Sequence, residues 1–216
     1  MAAKNPKYTT PKCRASYPYF NKPDEYKGSE RYKADLIVDR EEAAPFMEKC
    51  EEVLKKFVET HNKAIESGEK KGKKLNLKKA LANGLPWDDH EENEDLIVIK
   101  VKQNAEVSGD RVKLIFYDAK GQRIKNPPIV RGGSIVKVAG TIRGYEGFGG
   151  GVTLSISAVQ IIELSEGSDS DVDADNFGFG EEEGFEYEGT PDGFEEDDGE
   201  GYQHDADEDE DEEEEF

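Results

Sequence analysis

Residues 96–117, LIVIKVKQNAEVSGDRVKLIFY, decide how this chain folds. In the first half, apolar side chains recur at every second position from Ile97 to Val101, while Lys100 and Lys102 fall on the opposite face of an extended chain. A Ser-Gly-Asp turn follows, and the alternation then resumes to the end of the stretch. The pattern predicts short β-strands that each have one buried face and one face in water.

The same signature extends to both sides of this stretch. Residues 32–38 form an apolar, partly β-branched run, and residues 134–143 and 152–164 form a last pair of strands. The tip that joins this pair is rich in glycine and carries Tyr145 and Phe148. The chain is therefore predicted to contain roughly five or six short strands.

One amphipathic helix interrupts the strands. Apolar residues recur at three- and four-residue spacing from Phe46 to Ile65, and Pro45 fits the first helical turn. The next segment, residues 68–93, holds six lysines before Trp87. We expect this segment to be a basic loop insertion or a short second helix.

These elements indicate a mostly β protein. A small antiparallel sheet with a helix inserted mid-chain, and with basic and aromatic side chains on its faces, fits a five-stranded OB barrel with one inserted α-helix. A β-sandwich is the competing architecture. We place the domain at residues 12–165, after a flexible N-terminus at residues 1–11.

The remaining chain, residues 166–216, has a different composition. It contains 26 acidic residues and no lysine or arginine, whereas the chain before it contains 29 basic and 24 acidic residues. The net charge of -21 therefore divides into about +5 for the body and -26 for the tail. Such a tail cannot bury enough apolar surface to offset its chain entropy, so we expect it to be disordered.

The end of the tail suggests a contact with partner proteins. A run of carboxylates followed by an aromatic residue can place one ring in a pocket while the acidic groups meet surrounding cations. The candidate partner-binding residues are Asp211, Glu212, Glu213, Glu214, Glu215 and Phe216. The competing interpretation is that the acidic run serves solubility alone.

Several classes of protein do not fit the sequence. Cys13 and Cys50 have no CxxC partner and the three histidines are scattered, so we expect neither a disulfide framework nor a metal site. No phosphate loop or nucleophile elbow occurs, so we expect no cofactor and no enzyme activity. Without a signal peptide or a membrane-spanning apolar run, the sequence predicts a soluble, intracellular protein that does not bind membranes.

Aromatic residues interleaved with lysine and arginine favour a surface that binds an unpaired nucleic acid strand. Exposed bases stack on aromatic rings while cations follow the phosphates, and a duplex hides the base faces. The candidate residues are Tyr17, Tyr19, Phe20, Lys22, Arg31, Tyr32, Lys33, Lys100, Lys102, Arg111, Lys113, Tyr117, Arg143 and Tyr145. For any one of these aromatic residues, packing in the core is an equally good interpretation.

Four segments together resemble a known family. Residues 17–24 (YPYFNKPD) form an aromatic and Lys-Pro-Asp opening, and residues 32–36 (YKADL) form a first long strand. Residues 117–121 (YDAKG) and 128–134 (PIVRGGS) follow as strand, turn and glycine-rich link. With the acidic tail that ends in phenylalanine, these segments resemble the single-stranded-DNA-binding proteins that short-tailed phages encode for replication.

The resemblance implies an OB fold that coats single-stranded DNA in phage replication, recombination and repair, in the cytoplasm of the infected bacterium. It also implies a tail that docks the phage DNA polymerase and helicase, and a tendency to form homodimers. It places the family's DNA contacts on Tyr17, Tyr19, Lys22, Lys100, Lys102 and Tyr145, with Arg31 as a further match. The chain departs from the family at the glycine-rich tip, residues 147–151, and in its longer lysine segment.

Two other functions fit part of the sequence. A single-stranded-RNA-binding OB protein would use the same strand faces, because stacking barely distinguishes RNA from DNA. An acidic-tailed protein-interaction module would explain the tail but not the basic and aromatic strand faces. If the chain binds DNA, we expect its tail to compete for the same groove, since carboxylates and rings resemble phosphates and bases.

Overall fold

The computed structural model describes residues 5–165. Within them, the α-helices are α1 (Arg40–Glu66) and α2 (Leu77–Asn83). The strands are β1 (Lys7–Thr9), β2 (Cys13–Tyr26), β3 (Ser29–Asp39), β4 (Trp87–Asp89), β5 (Leu96–Asn104), β6 (Glu106–Val107), β7 (Asp110–Arg111), β8 (Ile115–Tyr117), β9 (Arg123–Ile124), β10 (Ile135–Tyr145) and β11 (Gly151–Glu163). The tail that the sequence predicts to be disordered, residues 166–216, lies outside the described residues.

Five strands close on themselves to form a barrel. Neighbours pair in the order β10, β2, β3, β5 and β11, and β11 returns to pair with β10. All these pairs are antiparallel except β5 with β11. The β8–β9 hairpin extends the sheet from β11, through a parallel pairing of β8. A closed five-stranded barrel confirms the mostly β prediction and the OB fold rather than the sandwich.

The barrel core follows from the alternation along the strands. Leu36 in β3 and Ile97 and Ile99 in β5 are fully buried, whereas Lys33 and Lys102 on the same two strands are exposed. Successive side chains of a strand point to opposite faces, so one set fills the barrel while the other faces outward. Burying an aliphatic side chain of this size stabilises the fold by about 1.5–3 kcal/mol.

Helix α1 packs one face on the barrel, as predicted, but it begins earlier than Pro45. The carboxylate of Asp39 caps its N-terminus by accepting hydrogen bonds from the backbone N–H groups of Glu41 (2.8 Å) and Glu42 (3.3 Å). Pro45 lies inside the helix, where its missing N–H removes one intrahelical hydrogen bond. Among residues 5–165, neither α1 nor α2 has the length and hydropathy of a membrane-spanning helix.

The basic segment, residues 68–93, contains more structure than a loop. Asn76 caps the short second helix, α2, by accepting the N–H of Lys79 at 3.0 Å. The amide of Asn62 in α1 holds the backbone of Leu75 from both sides, at 2.8 and 2.9 Å. Strand β4, which the sequence did not indicate, then pairs with β5. The segment is therefore fixed to both the helix and the barrel.

Residues 7–9 belong to the folded domain, although the sequence favoured a flexible N-terminus over residues 1–11. They form β1, which pairs with β10. Tyr8 is only 3% exposed, and its ring meets that of Phe46 edge-on at 5.9 Å between centroids. The domain therefore begins before residue 12.

The single strand predicted over residues 111–117 is divided in two. Ser108 and Gly109 both have positive φ, 55° and 87°, which is the geometry of a tight two-residue hairpin turn between β6 and β7. The chain leaves this small hairpin after Arg111 and crosses to pair with β11 as β8. The two pairing partners lie in different sheets, so the strand cannot be continuous.

Candidate nucleic-acid interface

The outer faces of β2, β3 and β5 bring basic and aromatic side chains into rows. Backbone pairing sets Tyr19 opposite Lys33, and Lys33 opposite Lys102. The ammonium of Lys33 lies 5.1 Å from the centre of the Tyr19 ring, within cation–π range. Arg31 and Lys100 lie two positions from this row, so they point to the same side.

These rows form the floor of an open groove of about 600 Å³, which we call the β3–β5 groove. It is lined by Arg31, Lys33, Asp35, Leu85, Pro86, Lys100, Val101, Lys102, Tyr145, Phe148, Val152 and Thr153. Five of the residues predicted from the sequence thus come together here, namely Arg31, Lys33, Lys100, Lys102 and Tyr145. Tyr19 adjoins the groove through its contact with Lys33.

Carboxylates neutralise part of the positive charge of the groove. The Lys33 ammonium lies 2.6 Å from the carboxylate of Asp24, and Lys100 is hydrogen bonded to Asp88. These hydrogen bonds raise the pKa of both lysines, so both remain cationic at neutral pH. Lys102 is exposed and forms no ion pair within residues 5–165. It is therefore the most available of these lysines.

The glycine-rich tip between β10 and β11 supplies the aromatic wall. The Tyr145 ring covers Gly151 so closely that an added Cβ would lie 2.4 Å from the hydroxyl. Phe148 is fully exposed, and its backbone φ of 56° is a left-handed conformation that residues other than glycine rarely adopt. An ion pair with Lys70 lowers the pKa of Glu146 and ties the tip to the lysine segment. Strained, exposed residues of this kind concentrate at functional sites.

Tyr17 lies beside the groove rather than in it. It is 79% exposed and also has positive φ, 45°. It lines a different cleft, whose other wall is the acidic segment 88–92. The two clefts share Asp35 and Lys100. The basic groove therefore ends at an acidic border, and Tyr17 stands on the acidic side.

Two predicted stacking residues are in the core. Phe20 is 1% exposed and Tyr32 is 6% exposed, so neither offers a ring face to a base, and this part of the prediction is wrong. Tyr32 lies between Arg31 and Lys33, which point outward, so strand alternation turns its ring inward. Its hydroxyl donates to the carbonyl of Val112 at 3.0 Å.

Three other candidates lie away from the groove. Arg111 forms an ion pair with Glu30 at 2.6 Å, and Lys113 lines a separate cleft. Tyr117 is half-buried in β8, where it pairs with Gln160 of β11. The division of the predicted strand separates these residues from the barrel face that carries the groove.

The last two candidates are exposed cations outside the groove lining. Arg143 pairs with Thr153, which lines the groove, so its guanidinium borders the site. Lys22 is exposed on β2 but lines none of the clefts described above. Arg143 therefore extends the basic surface of the groove.

Sequence reasoning missed several groove residues. Phe148 carried a signal, since an aromatic residue in a glycine-rich tip has no core to enter. Thr153 follows from the strand pair, because it lies opposite Arg143. Leu85 and Pro86 carried no signal, because the path of the lysine segment across the barrel depends on tertiary contacts.

The arrangement suits the binding of an unpaired nucleic acid strand. An open, cationic floor with aromatic walls can hold phosphates and stack bases. Within the described part of the chain, no group of three or more His, Cys, Asp or Glu side chains is placed to hold a metal ion. The groove therefore offers charge and ring faces as its chemistry.

Known proteins share the sequence pattern and the fold of this chain. The family model for "Single-stranded DNA-binding protein, Bacteriophage T7" matches residues 9–164. The single-stranded DNA-binding protein of Enterobacteria phage T3 is 27% identical over 174 residues, covering 69% of this chain and 72% of that protein.

Two solved structures share the fold. Gp2.5, a single-stranded DNA binding protein encoded by bacteriophage T7, matches with a TM-score of 0.61 at 21% identity, covering 80% of this chain and 99% of that chain. The single-stranded DNA-binding protein from bacteriophage Enc34 in complex with ssDNA matches with a TM-score of 0.51 at 16% identity, covering 74% and 88%. The family match spans the whole barrel, from the end of β1 through β11. The chain belongs to the bacteriophage T7 single-stranded DNA-binding protein family.

Proposed function

We propose that this protein binds single-stranded DNA without sequence preference through the β3–β5 groove. The observation that carries the proposal is the pair Lys33 and Lys102 on the floor with the rings of Tyr145 and Phe148 on the wall. Cations follow a phosphate backbone, and a ring face accepts any base. The phage T3 protein and the phage Enc34 complex, both described as binding single-stranded DNA, support the same ligand.

The proposed mechanism divides the strand between charge and stacking. Phosphates contact Arg31 and Lys102 directly, and contact Lys33 and Lys100 in exchange for the carboxylates of Asp24 and Asp88. Bases stack on Tyr145, Phe148 and Tyr19. Stacking contributes about 1–3 kcal/mol per base, and a duplex hides the faces it needs, so single strands are preferred. Each neutralised phosphate releases bound counterions, so affinity falls as salt rises.

We propose that the protein coats single-stranded DNA during phage replication, recombination and repair in the cytoplasm of the infected bacterium. It acts in this role by binding, without catalysis or a cofactor. We include self-association into homodimers in the proposal, which sedimentation at several protein concentrations tests. Family membership supports the role.

The groove is tested by reversing its charge. Fluorescence anisotropy with labelled oligo-dT compares the wild type with Lys100→Glu/Lys102→Glu, and with the charge-matched control Lys49→Glu/Lys56→Glu on the exposed face of α1. We expect the groove variant to lose roughly tenfold or more in affinity, and its salt slope to fall by about 1.4, which corresponds to two lost phosphate contacts. Equal affinities for the two variants would remove the groove from the proposal.

The same titration separates DNA from RNA. Unlabelled oligo-dT and oligo-U of equal length compete for the protein at one salt concentration. We expect oligo-dT to compete better. The measurement is needed because stacking alone does not discriminate RNA from DNA. Stronger competition by oligo-U would show that the protein is a single-stranded-RNA-binding protein.

We further propose that the acidic tail recruits the phage DNA polymerase and helicase through Asp211–Glu215 and Phe216, which lie outside the described residues. A terminal ring among carboxylates suits a pocket with a basic rim. Phe216→Ala should leave oligo-dT binding unchanged and weaken the capture of both enzymes. The control Tyr202→Ala, which removes another ring of the tail, should leave both the oligo-dT binding and the capture of the enzymes unchanged. Undiminished capture by Phe216→Ala would exclude the terminal ring as the anchor.

A further inference from the structure

The separate cleft that Lys113 lines has a volume of about 590 Å³ and lies beside the β8–β9 hairpin. Lys113, Arg123 and Lys125 line this β8–β9 cleft, and all three are exposed. No acidic residue lines it, and none of the three cations forms an ion pair within residues 5–165. In the β3–β5 groove, by contrast, the carboxylates of Asp24 and Asp88 neutralise Lys33 and Lys100. The β8–β9 cleft is therefore suited to an anionic ligand.

The walls of the β8–β9 cleft are apolar. The half-buried side chains that form them are Leu114, Ile115, Ile124 and Pro127. Its volume falls in the range of sites for small molecules and cofactors, about 300–1,000 Å³. A ligand that fills the cleft thus combines negative charge with a flat or bulky apolar part.

Hydrogen bonds hold these walls in place without a ligand. The amide of Asn21 accepts the N–H of Val130 at 3.0 Å and donates to the carbonyl of Pro128 at 2.9 Å. The carboxylate of Asp118 accepts the N–H of Gln122 at 2.7 Å and closes the β8–β9 turn. A cleft formed in advance requires little ordering when a ligand enters.

Strand β3 separates the β8–β9 cleft from the β3–β5 groove, because adjacent residues of the strand face opposite sides. Arg31 lines the groove, and the next residue, Tyr32, lines the cleft. The Tyr32 hydroxyl donates to the carbonyl of Val112, which lies between Arg111 and Lys113. A strand that leaves the groove must therefore turn around β3 to reach the cations of the cleft.

We propose that the β8–β9 cleft holds a nucleotide of the same single strand after it leaves the β3–β5 groove. The proposal rests on the proposed function. The base packs on the aliphatic walls, and the phosphates lie among Lys113, Arg123 and Lys125. The bound strand is then longer than the groove alone can hold.

The test is a length series of labelled oligo-dT, from about 4 to 16 nucleotides, which spans the site sizes of OB folds. It compares Lys113→Glu/Lys125→Glu with Lys49→Glu/Lys56→Glu, so that net charge is matched. We expect equal affinities for the shortest strands and a loss of roughly tenfold for the longest, with a salt slope smaller by about 1.4. Equal affinities at every length would overturn the proposal, as would a loss that is the same for short and long strands.

A measurement on the wild type avoids any effect of the substitutions on folding. The amide resonances of Leu114 and Ile124 should shift on titration with the longest oligo-dT but not with the shortest. A peptide of sequence DEEEEF is titrated separately. Shifts caused by the peptide and not by the long strand would assign the cleft to acidic, aromatic peptides and overturn the proposal.

The two proposals fail in different ways. Loss of binding in Lys100→Glu/Lys102→Glu at all lengths, with no effect of the cleft variant, would keep the proposed function and remove the second site. Failure of the wild type to bind oligo-dT of any length would remove both.

Discussion

Lys33, Lys100 and Lys102 are the same residue type and are all exposed, but they differ in whether a carboxylate neutralises them. Lys33 and Lys100 have a carboxylate partner in Asp24 and Asp88, while Lys102 has none among residues 5–165. A phosphate must displace the carboxylate from a paired lysine before it gains the full contact. Exposed ion pairs contribute about 0.2–1 kcal/mol, so this competition is modest but measurable.

We therefore expect Lys102→Ala to weaken oligo-dT binding more than Lys33→Ala does. Asp24→Asn should tighten binding by up to roughly fivefold, since it frees Lys33 from an interaction worth at most about 1 kcal/mol. Anisotropy titrations at low salt measure all three variants. Equal losses for both lysines, together with no gain for Asp24→Asn, would show that internal pairing does not tune the groove.

The two cysteines are structural residues. Burial raises the pKa of the Cys13 and Cys50 thiols to about 12. In the unfolded chain the thiols ionise near their ordinary pKa, about 8.5. Folding therefore binds these protons more tightly, so the thiols' contribution to stability is fully present below pH 8.5 and declines as the pH rises toward 12.

This predicts that the free energy of unfolding falls above about pH 8.5, by up to 1.4 kcal/mol per pH unit for each thiol. Urea unfolding under reducing conditions at pH 7.5, 9 and 10 measures the change. Lysine and tyrosine groups titrate in the same range, so the comparison is with Cys13→Ala/Cys50→Ala. An identical pH dependence in this variant would show that the thiols play no part.

Single residues show where sequence reasoning worked and where it stopped. The alternation in β5 placed Lys100 and Lys102 outward correctly. The same alternation, applied to Arg31 and Lys33, places the side chain of Tyr32 on the inner face of β3. The burial of Tyr32 was therefore predictable from its two neighbours. The burial of Phe20 was not predictable in this way. The pairing of β2 is irregular between residues 16 and 24, so simple alternation does not tell which face of the strand a residue occupies there.

Among the elements, the β10–β11 tip combines aromatic exposure with backbone strain. Phe148 projects fully into solvent from a left-handed conformation, so its ring contributes nothing to the core. Ile129, which is 66% exposed at another site, serves as a control for the loss of an exposed apolar side chain.

Phe148→Ala should weaken oligo-dT binding by about 1–3 kcal/mol, the contribution of one stacked base. Ile129→Ala should leave the affinity unchanged. Neither substitution should lower the midpoint of thermal unfolding by more than a few degrees, since both side chains are exposed. Anisotropy and thermal melts measure the two effects, and matching affinities would exclude stacking at the tip.

Element positions were predictable only where a local pattern sets them. The long strands and α1 follow from periodicity, and the hairpin turn at Ser108 and Gly109 follows from its residue types. The placement of β4 and of the lysine segment follows from contacts with α1 and β5, which have no local signature. For the same reason, the sequence did not indicate that Lys113 would meet Arg123 and Lys125.

At the scale of the whole molecule, the charge division has a thermodynamic consequence. Residues 1–165 carry a net charge of about +5, and residues 166–216 carry -26. We expect linked carboxylates at such a density to compete with phosphates for the cationic groove. The competition weakens as salt rises, because the screening length is only about 10 Å at 0.1 M.

Removal of the tail, in a protein that ends at Leu164, should therefore tighten oligo-dT binding at low salt, and the difference should shrink as salt rises. A full-length variant in which the tail's Asp and Glu are replaced by Asn and Gln keeps the chain length. It should bind like the truncated protein if charge causes the competition. Unchanged affinity after truncation at low salt would exclude the tail as a competitor.

The overall fold was the most predictable property of this protein. Strand periodicity, one inserted amphipathic helix, and the basic and aromatic residues on the strand faces indicated an OB barrel, and the ordered set of motifs indicated the family. The rim of the groove was less predictable, because Leu85 and Phe148 reach it from segments that lie far apart along the chain.

The carboxylates beside the groove also bear on how long a strand stays bound. When a phosphate leaves Lys33 or Lys100, Asp24 or Asp88 can take its place at once. For a strand bound in the proposed groove, we therefore expect dissociation by a series of small exchanges instead of one concerted escape. We expect the coat to peel from the DNA nucleotide by nucleotide, so that an advancing enzyme can clear its template without waiting for a whole protein to dissociate.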